Sequence, residues 1–356
     1  MNPDRIRRID NVMSGQAQDL KARLARGGLR SLEPIYRTIT CFRNLRYDRL
    51  TQLVHSMDCP VISLGNLTTG GTGKTPLVRW VADWLIQNQE KPAIVSRGYG
   101  SEAGQPNDEY LELKLWLPET PHIQDPDRVA AANRIIKEHA PTVIVLDDGF
   151  QHRRLGRDLD IVLIDASKPF GYGHLLPRGL LREPISSLNR ADAVILTRVD
   201  QADSQALQAI RNQINPFIEA SRIAEVAFTA GPWVNVSGQI SDTPPTGPYY
   251  GFCGIGNPTG FRTALVQQQL PLIEFKSFPD HHRYRREEIL ELIQYAERNG
   301  GNSLVCTVKD LVKIRELNLE SFPIWAASIE TQFLTGQNAL ETLIRSSLSN
   351  SNAAIH

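Results

Sequence analysis

Val61-Ile62-Ser63-Leu64-Gly65-Asn66-Leu67-Thr68-Thr69-Gly70-Gly71-Thr72-Gly73-Lys74-Thr75-Pro76 reads as a strand, a glycine-rich loop and the start of a helix. In such a loop successive backbone N–H groups turn toward phosphate oxygens, and the helix N-terminus adds partial positive charge. The run Thr68, Thr69, Gly70, Gly71, Thr72, Gly73, Lys74 and Thr75 is therefore the expected nucleotide cradle. Lys74 would reach the β- and γ-phosphates, and the Thr75 hydroxyl would ligate Mg²⁺. Thr68 stands where the usual pattern has glycine, and Gly70 and Gly71 supply the flexibility instead.

Such a loop needs a second acidic anchor at the end of a neighbouring strand. Thr142-Val143-Ile144-Val145-Leu146-Asp147-Asp148-Gly149 has the form of that anchor, an apolar strand ending in carboxylates. Working outward, short β-branched runs alternate with helical patterns. Strands are expected at 60–64, 93–96, 142–147, 160–165, 192–197 and 224–229, with helices at 75–87, 127–140 and 204–215. The alternation predicts an α/β fold of the P-loop NTPase type, with a mostly parallel sheet flanked by helices. A Pro- and Gly-rich stretch over 231–248 reads as a hinge. A second, smaller α/β domain is expected after it, with strands at 249–253, 273–278 and 303–307 and helices at 259–268 and 286–299. The expected domains are thus 1–59, a basic amphipathic arm; 60–230, the P-loop domain; 231–345, the smaller domain; and 346–356, a frayed polar tail.

The 356 residues carry 41% hydrophobic and 22% charged residues, which is ordinary globular composition. No run approaches the ~18 apolar residues of a membrane span, and the first residues lack the apolar core of a secretory signal. None of the four cysteines pairs as C-x-x-C, which argues against a zinc or redox motif and fits a reducing, cytoplasmic compartment. Residues 1–60 hold eleven basic and six acidic side chains, a charge of +5, so the remaining 296 residues carry −5. Leu32, Ile35, Tyr36, Ile39, Phe42 and Leu45 recur at helical spacing in this arm. Two readings follow: a helix docked on the body, or a membrane-surface helix whose arginines reach anionic head groups.

Among P-loop proteins, a switch GTPase would need an N-K-x-D base reader, and Thr197-Arg198-Val199-Asp200 lacks both Asn and Lys. A partition-type ATPase would carry a lysine just before the glycines, where this chain has Thr69. The loop Gly65–Pro76 instead resembles that of the tetraacyldisaccharide 4′-kinases. So do Ser96-Arg97-Gly98-Tyr99-Gly100, Asp147-Asp148-Gly149-Phe150-Gln151-His152 followed by Arg157-Asp158-Leu159, Leu176-Pro177-Arg178-Gly179-Leu180-Leu181-Arg182-Glu183-Pro184, and Phe278-Pro279-Asp280-His281-His282. Two segments depart from the family pattern: Asn107-Asp108-Glu109-Tyr110, for Gly-Asp-Glu-Pro, keeps both acids, and Thr307-Val308-Lys309-Asp310, for Thr-Glu-Lys-Asp, has Val308 in place of the glutamate.

The resemblance implies an ATP- and Mg²⁺-dependent lipid kinase that phosphorylates the 4′-hydroxyl of a tetraacylated disaccharide 1-phosphate, a step of lipid A biosynthesis. It implies a peripheral position on the cytoplasmic, inner face of the inner membrane, against an anionic surface, with no nucleic-acid partner. It further implies catalytic roles for Lys74, Asp148, Asp108 and His281, and a Mg²⁺ shell from Thr75, Asp147, Gln151 and Glu183. Substrate contacts would come from Arg97, Tyr99, Arg128 and Arg182. With Asp108 in the P-loop domain and His281 beyond the hinge, the pair would form only on domain closure. No motif specifies an oligomeric state.

Overall fold

The computed structural model describes residues 9, 11–98, 106–317, 319 and 322–353, so Tyr99 and Gly100 of the expected substrate segment lie outside the described residues. The chain divides into two units. One draws on residues within 8–99, 119–228 and 331–356, the other on 100–118 and 229–330.

In the larger unit, β1 (Val61–Asn66) is buried at every position, as the continuous apolar run requires of a strand covered on both faces. It lies between β4 (Val143–Asp147) and β5 (Leu159–Asp165), parallel to both. β2 (Pro92–Ser96) and β3 (His122–Gln124) extend the sheet beyond β4. β6 (Ala193–Thr197) and the first residues of β7 (Ile223–Asn235) extend it beyond β5, all parallel. Parallel strands bring their carboxyl ends to one edge, where ligands bind in open α/β sheets. The loop after β1, Arg97 after β2, Asp147 and Asp148 at the end of β4, Asp165 at the end of β5 and Arg198 after β6 all fall there. Helices α1 (Leu20–Arg49), α2 (Lys74–Gln87), α4 (Arg128–His139), α5 (Ser204–Ile214) and α9 (Gln337–Ala353) complete this unit. One apolar core gathers Phe150, Val162, Leu188, Leu196 and Ile214, and another gathers Val61, Val95, Ile135 and Leu146.

The smaller unit has a parallel sheet of β10 (Leu272–Ser277), β9 (Tyr249–Cys253), β11 (Ser303–Thr307) and the start of β12 (Ile324–Thr335). A short β8 (Ile240–Ser241) pairs antiparallel with the end of β7. Helices α6 (Pro258–Gln267), α7 (Arg286–Arg298), α8 (Val308–Ile314) and α3 (Asp108–Trp116) accompany it. Its core is built on Phe252, Tyr284, Leu292, Cys306 and Leu311, and Leu111, Leu115 and Trp116 of α3 pack onto that core.

Two expectations change. Helix α3 belongs with the smaller unit, although it lies in sequence between β2 and β3. Leu111 and Leu115, one turn apart, tie it to α8 rather than to the P-loop sheet. The tail expected to fray from residue 346 is helical to Ala353, because α9 buries Leu340, Ile344 and Ser347 along one side. The stretch read as a hinge begins inside β7, with Gly231 and Pro232 in extended backbone.

Candidate active site

The phosphate-binding loop is held from three sides. Thr69 N donates to Leu180 O at 2.8 Å and Arg182 N to Leu67 O at 2.7 Å. Thr197 Oγ1 donates to Thr72 O at 2.9 Å, and Arg198 Nη1 to Gly71 O at 2.9 Å. Gly73, the N-cap of α2, has φ +84°, and a Cβ there would stand 2.3 Å from the Phe228 ring. Both facts demand glycine at this position. Gly73→Ala is accordingly expected to lower stability by about 1–3 kcal/mol and to weaken nucleotide binding. Chemical denaturation and ATP titration measure the two effects.

Lys74 Nζ lies 3.3 Å from Asn66 Oδ1 and 3.5 Å from Asp148 Oδ1. Arg182 Nη1 donates to both Asp148 oxygens, at 3.0 and 2.9 Å, and lies 3.2 Å from Gln151 Oε1. Gln151 Nε2 donates to Asn66 O at 2.9 Å. Asp148 takes a left-handed backbone, φ +55°, which aspartate tolerates better than most residues. Burial alone would raise its pKa, but Lys74 and Arg182 outweigh burial and hold it below the ordinary carboxylate value. Asp147 ends β4 and is buried, as is Thr75 in the first turn of α2.

Arg128 is buried at the start of α4. Its Nη1 donates to Pro126 O at 3.1 Å, while its Nε finds no partner. Burial and then the like charge of Arg97 pull its pKa down, opposed by Asp148, Asp147 and Asp125. The Thr72 hydroxyl is likewise buried and unpaired. Unsatisfied buried donors beside a glycine-rich loop suit an anionic ligand. Among the described residues no three His, Cys, Asp or Glu side chains cluster as a metal cage.

Glu183 is the last residue of the expected Mg²⁺ shell. It is fully buried, and its carboxylate is engaged by Arg43, by Asn44 Nδ2 at 3.2 Å and by Arg190 Nη2 at 2.6 Å. Tyr36 OH donates to Arg182 O at 3.1 Å, and His174 Nδ1 lies 3.0 Å from Glu33. Helix α1 therefore docks through its polar side. Leu20, Leu24, Leu32, Ile35, Ile39, Phe42 and Leu45 remain exposed. At about 100° per residue they fall within one stripe of the helix. The arm is thus docked on the body, with its apolar stripe left exposed among the described residues.

The second cluster lies wholly in the smaller unit. His281 Nδ1 and Asp108 Oδ2 are 3.0 Å apart. Since both residues belong to this unit, their pairing does not wait on domain closure, contrary to the sequence expectation. Asn107 caps α3 by accepting from Tyr110 N at 2.9 Å, which fixes Asp108 in the first turn. His281 has φ +56°, and its N–H donates to Gly254 O at 3.1 Å. Such a backbone is costly for histidine and marks a constrained position. Burial favours neutral Asp108, but the hydrogen bond with His281 and the charge of Lys313 outweigh it and lower its pKa. The hydrogen bond with Asp108 raises that of His281. His282 stacks on Phe278 and lies 3.2 Å from Glu288, so it braces the loop.

Sequence reasoning missed Asn66, which holds Lys74; Arg43 and Arg190, which hold Glu183; and Lys313. Of these, Asn66 lies within the glycine-rich stretch singled out in the sequence, and Lys313 follows another such segment, Thr307-Val308-Lys309-Asp310.

The sequence pattern of the family described as Tetraacyldisaccharide-1-P 4′-kinase matches residues 26–349. The Tetraacyldisaccharide 4′-kinase of Anaeromyxobacter sp. (strain Fw109-5) is 35% identical over 329 residues, covering 86% of this chain and 88% of that protein. The Desulfotalea psychrophila protein of the same name is 33% identical over 321 residues, covering 85% and 92%. The crystal structure of LpxK from Aquifex aeolicus in complex with ATP superposes with a TM-score of 0.72 at 28% identity, covering 91% of this chain and 99% of that one. With a phosphate-binding loop, the acid pair of β4 and an Asp–His pair all in the expected segments, the chain belongs to the tetraacyldisaccharide 4′-kinase family.

Proposed function

We propose that this chain transfers the γ-phosphate of ATP to the 4′-hydroxyl of a tetraacylated glucosamine disaccharide 1-phosphate at the cytoplasmic face of the inner membrane. The observation that carries this reading beyond nucleotide binding is the 3.0 Å Asp108–His281 pair. An ATPase that uses only water has less need of a constrained acid–base pair.

In this reading the loop Thr68–Thr75 cradles the triphosphate, and Lys74 neutralises charge on the departing γ-phosphate. Thr75 and Asp147 would hold Mg²⁺, while Gln151 and Glu183 support the site through Arg182, Asn66, Arg43 and Arg190. Mg²⁺ would neutralise developing charge on the bridging phosphate oxygens. Asp148 and Arg182 form a charged brace beside Lys74. Arg128 and Arg97 bind substrate phosphate, and Tyr99 is assigned to the disaccharide by resemblance alone. Asp108 accepts the proton of the attacking hydroxyl, and His281 orients its carboxylate. Incubation with ATP labelled at the γ-phosphate and a disaccharide 1-phosphate lipid, followed by thin-layer chromatography, tests the reading. A labelled lipid is expected, and hydrolysis without lipid labelling would overturn it.

The exposed stripe of α1 is the proposed membrane contact. No described helix is long and apolar enough to cross a membrane. Arg46 and Arg49 lie in the last turn of α1 and can meet anionic head groups. Leu24→Ser, Ile39→Ser and Phe42→Ser are each expected to weaken binding to anionic vesicles by about 10- to 150-fold, since each removes roughly 1.5–3 kcal/mol of apolar burial. Co-sedimentation at rising salt measures this. Unchanged binding in the triple variant would place the membrane contact elsewhere. These substitutions are better probes than deleting the helix, which would also strip Arg43 and Asn44 from buried Glu183.

A further inference from the structure

Lys313 sits on α8, one turn beyond Lys309 and three residues after Asp310. Its side chain is 8% exposed. Its Nζ lies 3.2 Å from Asp108 Oδ2 and 3.6 Å from Asp310 Oδ1, and 5.7 Å from the centre of the Tyr284 ring. Asp310 is itself immobilised. Its Oδ1 accepts from Gly254 N at 3.0 Å and Tyr284 OH at 2.9 Å, and its Oδ2 from Thr307 Oγ1 at 2.6 Å. Gly254 also accepts the His281 N–H. One buried framework thus holds Lys313 through Asp310 and the His281 backbone through Gly254.

We infer that Lys313 is a positioning residue for the proposed base: anchored by Asp310, its ammonium holds the Asp108 carboxylate in register with His281. The inference rests on the proposed base role of Asp108. An acid on a helix start can swing among rotamers. Here one Asp108 oxygen is fixed between a histidine and a nearly buried cation, from two different segments. The groups facing the pair are Asp280 beside His281; Lys309, Asp310 and Lys313 from α8; and Glu109 and Glu112 from α3. Lys309 is 3.8 Å from Glu109, so its charge is partly matched on α3. After His281 itself, Lys313 is the nearest cation to Asp108 among the described residues, at 3.2 Å.

The consequence is a defined pH signature. The pair titrates as a unit. A cation beside it favours the deprotonated forms of both members, so removing that cation raises both. The acid limb of kcat/KM for the lipid acceptor should therefore move up by about one pH unit or more in Lys313→Met, the usual effect of an opposite charge at this range. kcat should fall about 10–100-fold from misplacement of the base, with KM for ATP unchanged. Lys313→Arg should return the limb toward its wild-type position. A folded fraction that is constant with pH leaves the limb in place, and circular dichroism over the same pH range separates a true limb shift from acid unfolding. A limb that stays in place in Lys313→Met, or that moves equally in Lys313→Arg, would overturn the inference and leave Lys313 a structural residue. Asp108→Asn is the control: if it retains wild-type turnover across the pH range, the base reading fails, and the inference fails with it for that separate reason.

Discussion

Lys74→Ala is expected to lower kcat by about 10²–10³-fold, the cost of removing one charged stabiliser from a transition state. The reason lies in what surrounds the ammonium before reaction. Nζ is held between Asn66 Oδ1 and Asp148 Oδ1. It is therefore poised, with little reorganisation needed when the γ-phosphate begins to leave. The loss should fall mainly on kcat, because the charge matters most in the transition state. Backbone N–H groups of the loop and the α2 N-terminus still bind the ground-state triphosphate. Folding should survive, since the loop is tied down by Thr69, Thr197, Arg198 and Arg182 without Lys74. Steady-state kinetics with ATP titration separates kcat from KM. Turnover near wild type would remove the loop from the chemistry.

Asp108→Ala and His281→Ala are each expected to lose about 10²–10⁴-fold in kcat, the usual contribution of general acid–base catalysis. The double variant should be little worse than either single, because groups acting as one unit are non-additive. ATP affinity should hardly change, since neither side chain belongs to the nucleotide loop. Multiplicative losses would mean that the two act separately despite their 3.0 Å contact. The pair also carries a stability signature. Asp108 is depressed, so its contribution is present above the ordinary aspartate pKa and lost as pH falls through its folded value. His281 is raised, so its contribution is complete below the ordinary histidine pKa and lost as pH rises through its folded value. The stabilising ion pair therefore occupies the interval between those limits. The high-pH edge should vanish in either single variant, while part of the low-pH edge should persist in His281→Ala because Lys313 still lowers Asp108, as unfolding measured across pH would show.

How much of this was legible before folding differs from element to element. The strand expected at 60–64 and found at 61–66, the glycine-rich loop and the carboxylates at 147–148 could be read directly, because their chemistry is local. A run buried on both faces must be apolar throughout, and a loop that presents N–H groups to phosphate must be rich in glycine. The strands at 249–253 and 303–307 matched residue for residue. The five helices given bounds in the sequence shifted by at most one residue at each end, within the ordinary fraying of helix ends.

What the sequence could not decide was which segments share a core. Helix α3 looks like an insertion into the P-loop sheet, yet Leu111, Leu115 and Trp116 commit it to the core of the other unit. That single packing choice places Asp108 beside His281, 173 residues away. Likewise, the amphipathic arm shows its apolar spacing in sequence but not which face docks. Burial would assign the apolar side inward. Arg43 and Asn44 on Glu183, and Tyr36 on the Arg182 carbonyl, turn the polar side inward instead. Composition and period determine which residues form a strand, a loop or a helix, because those depend on neighbours a few positions apart. Only the tertiary structure decides which charges meet, because a buried carboxylate such as Glu183 or Asp310 takes its partners from segments distant in sequence.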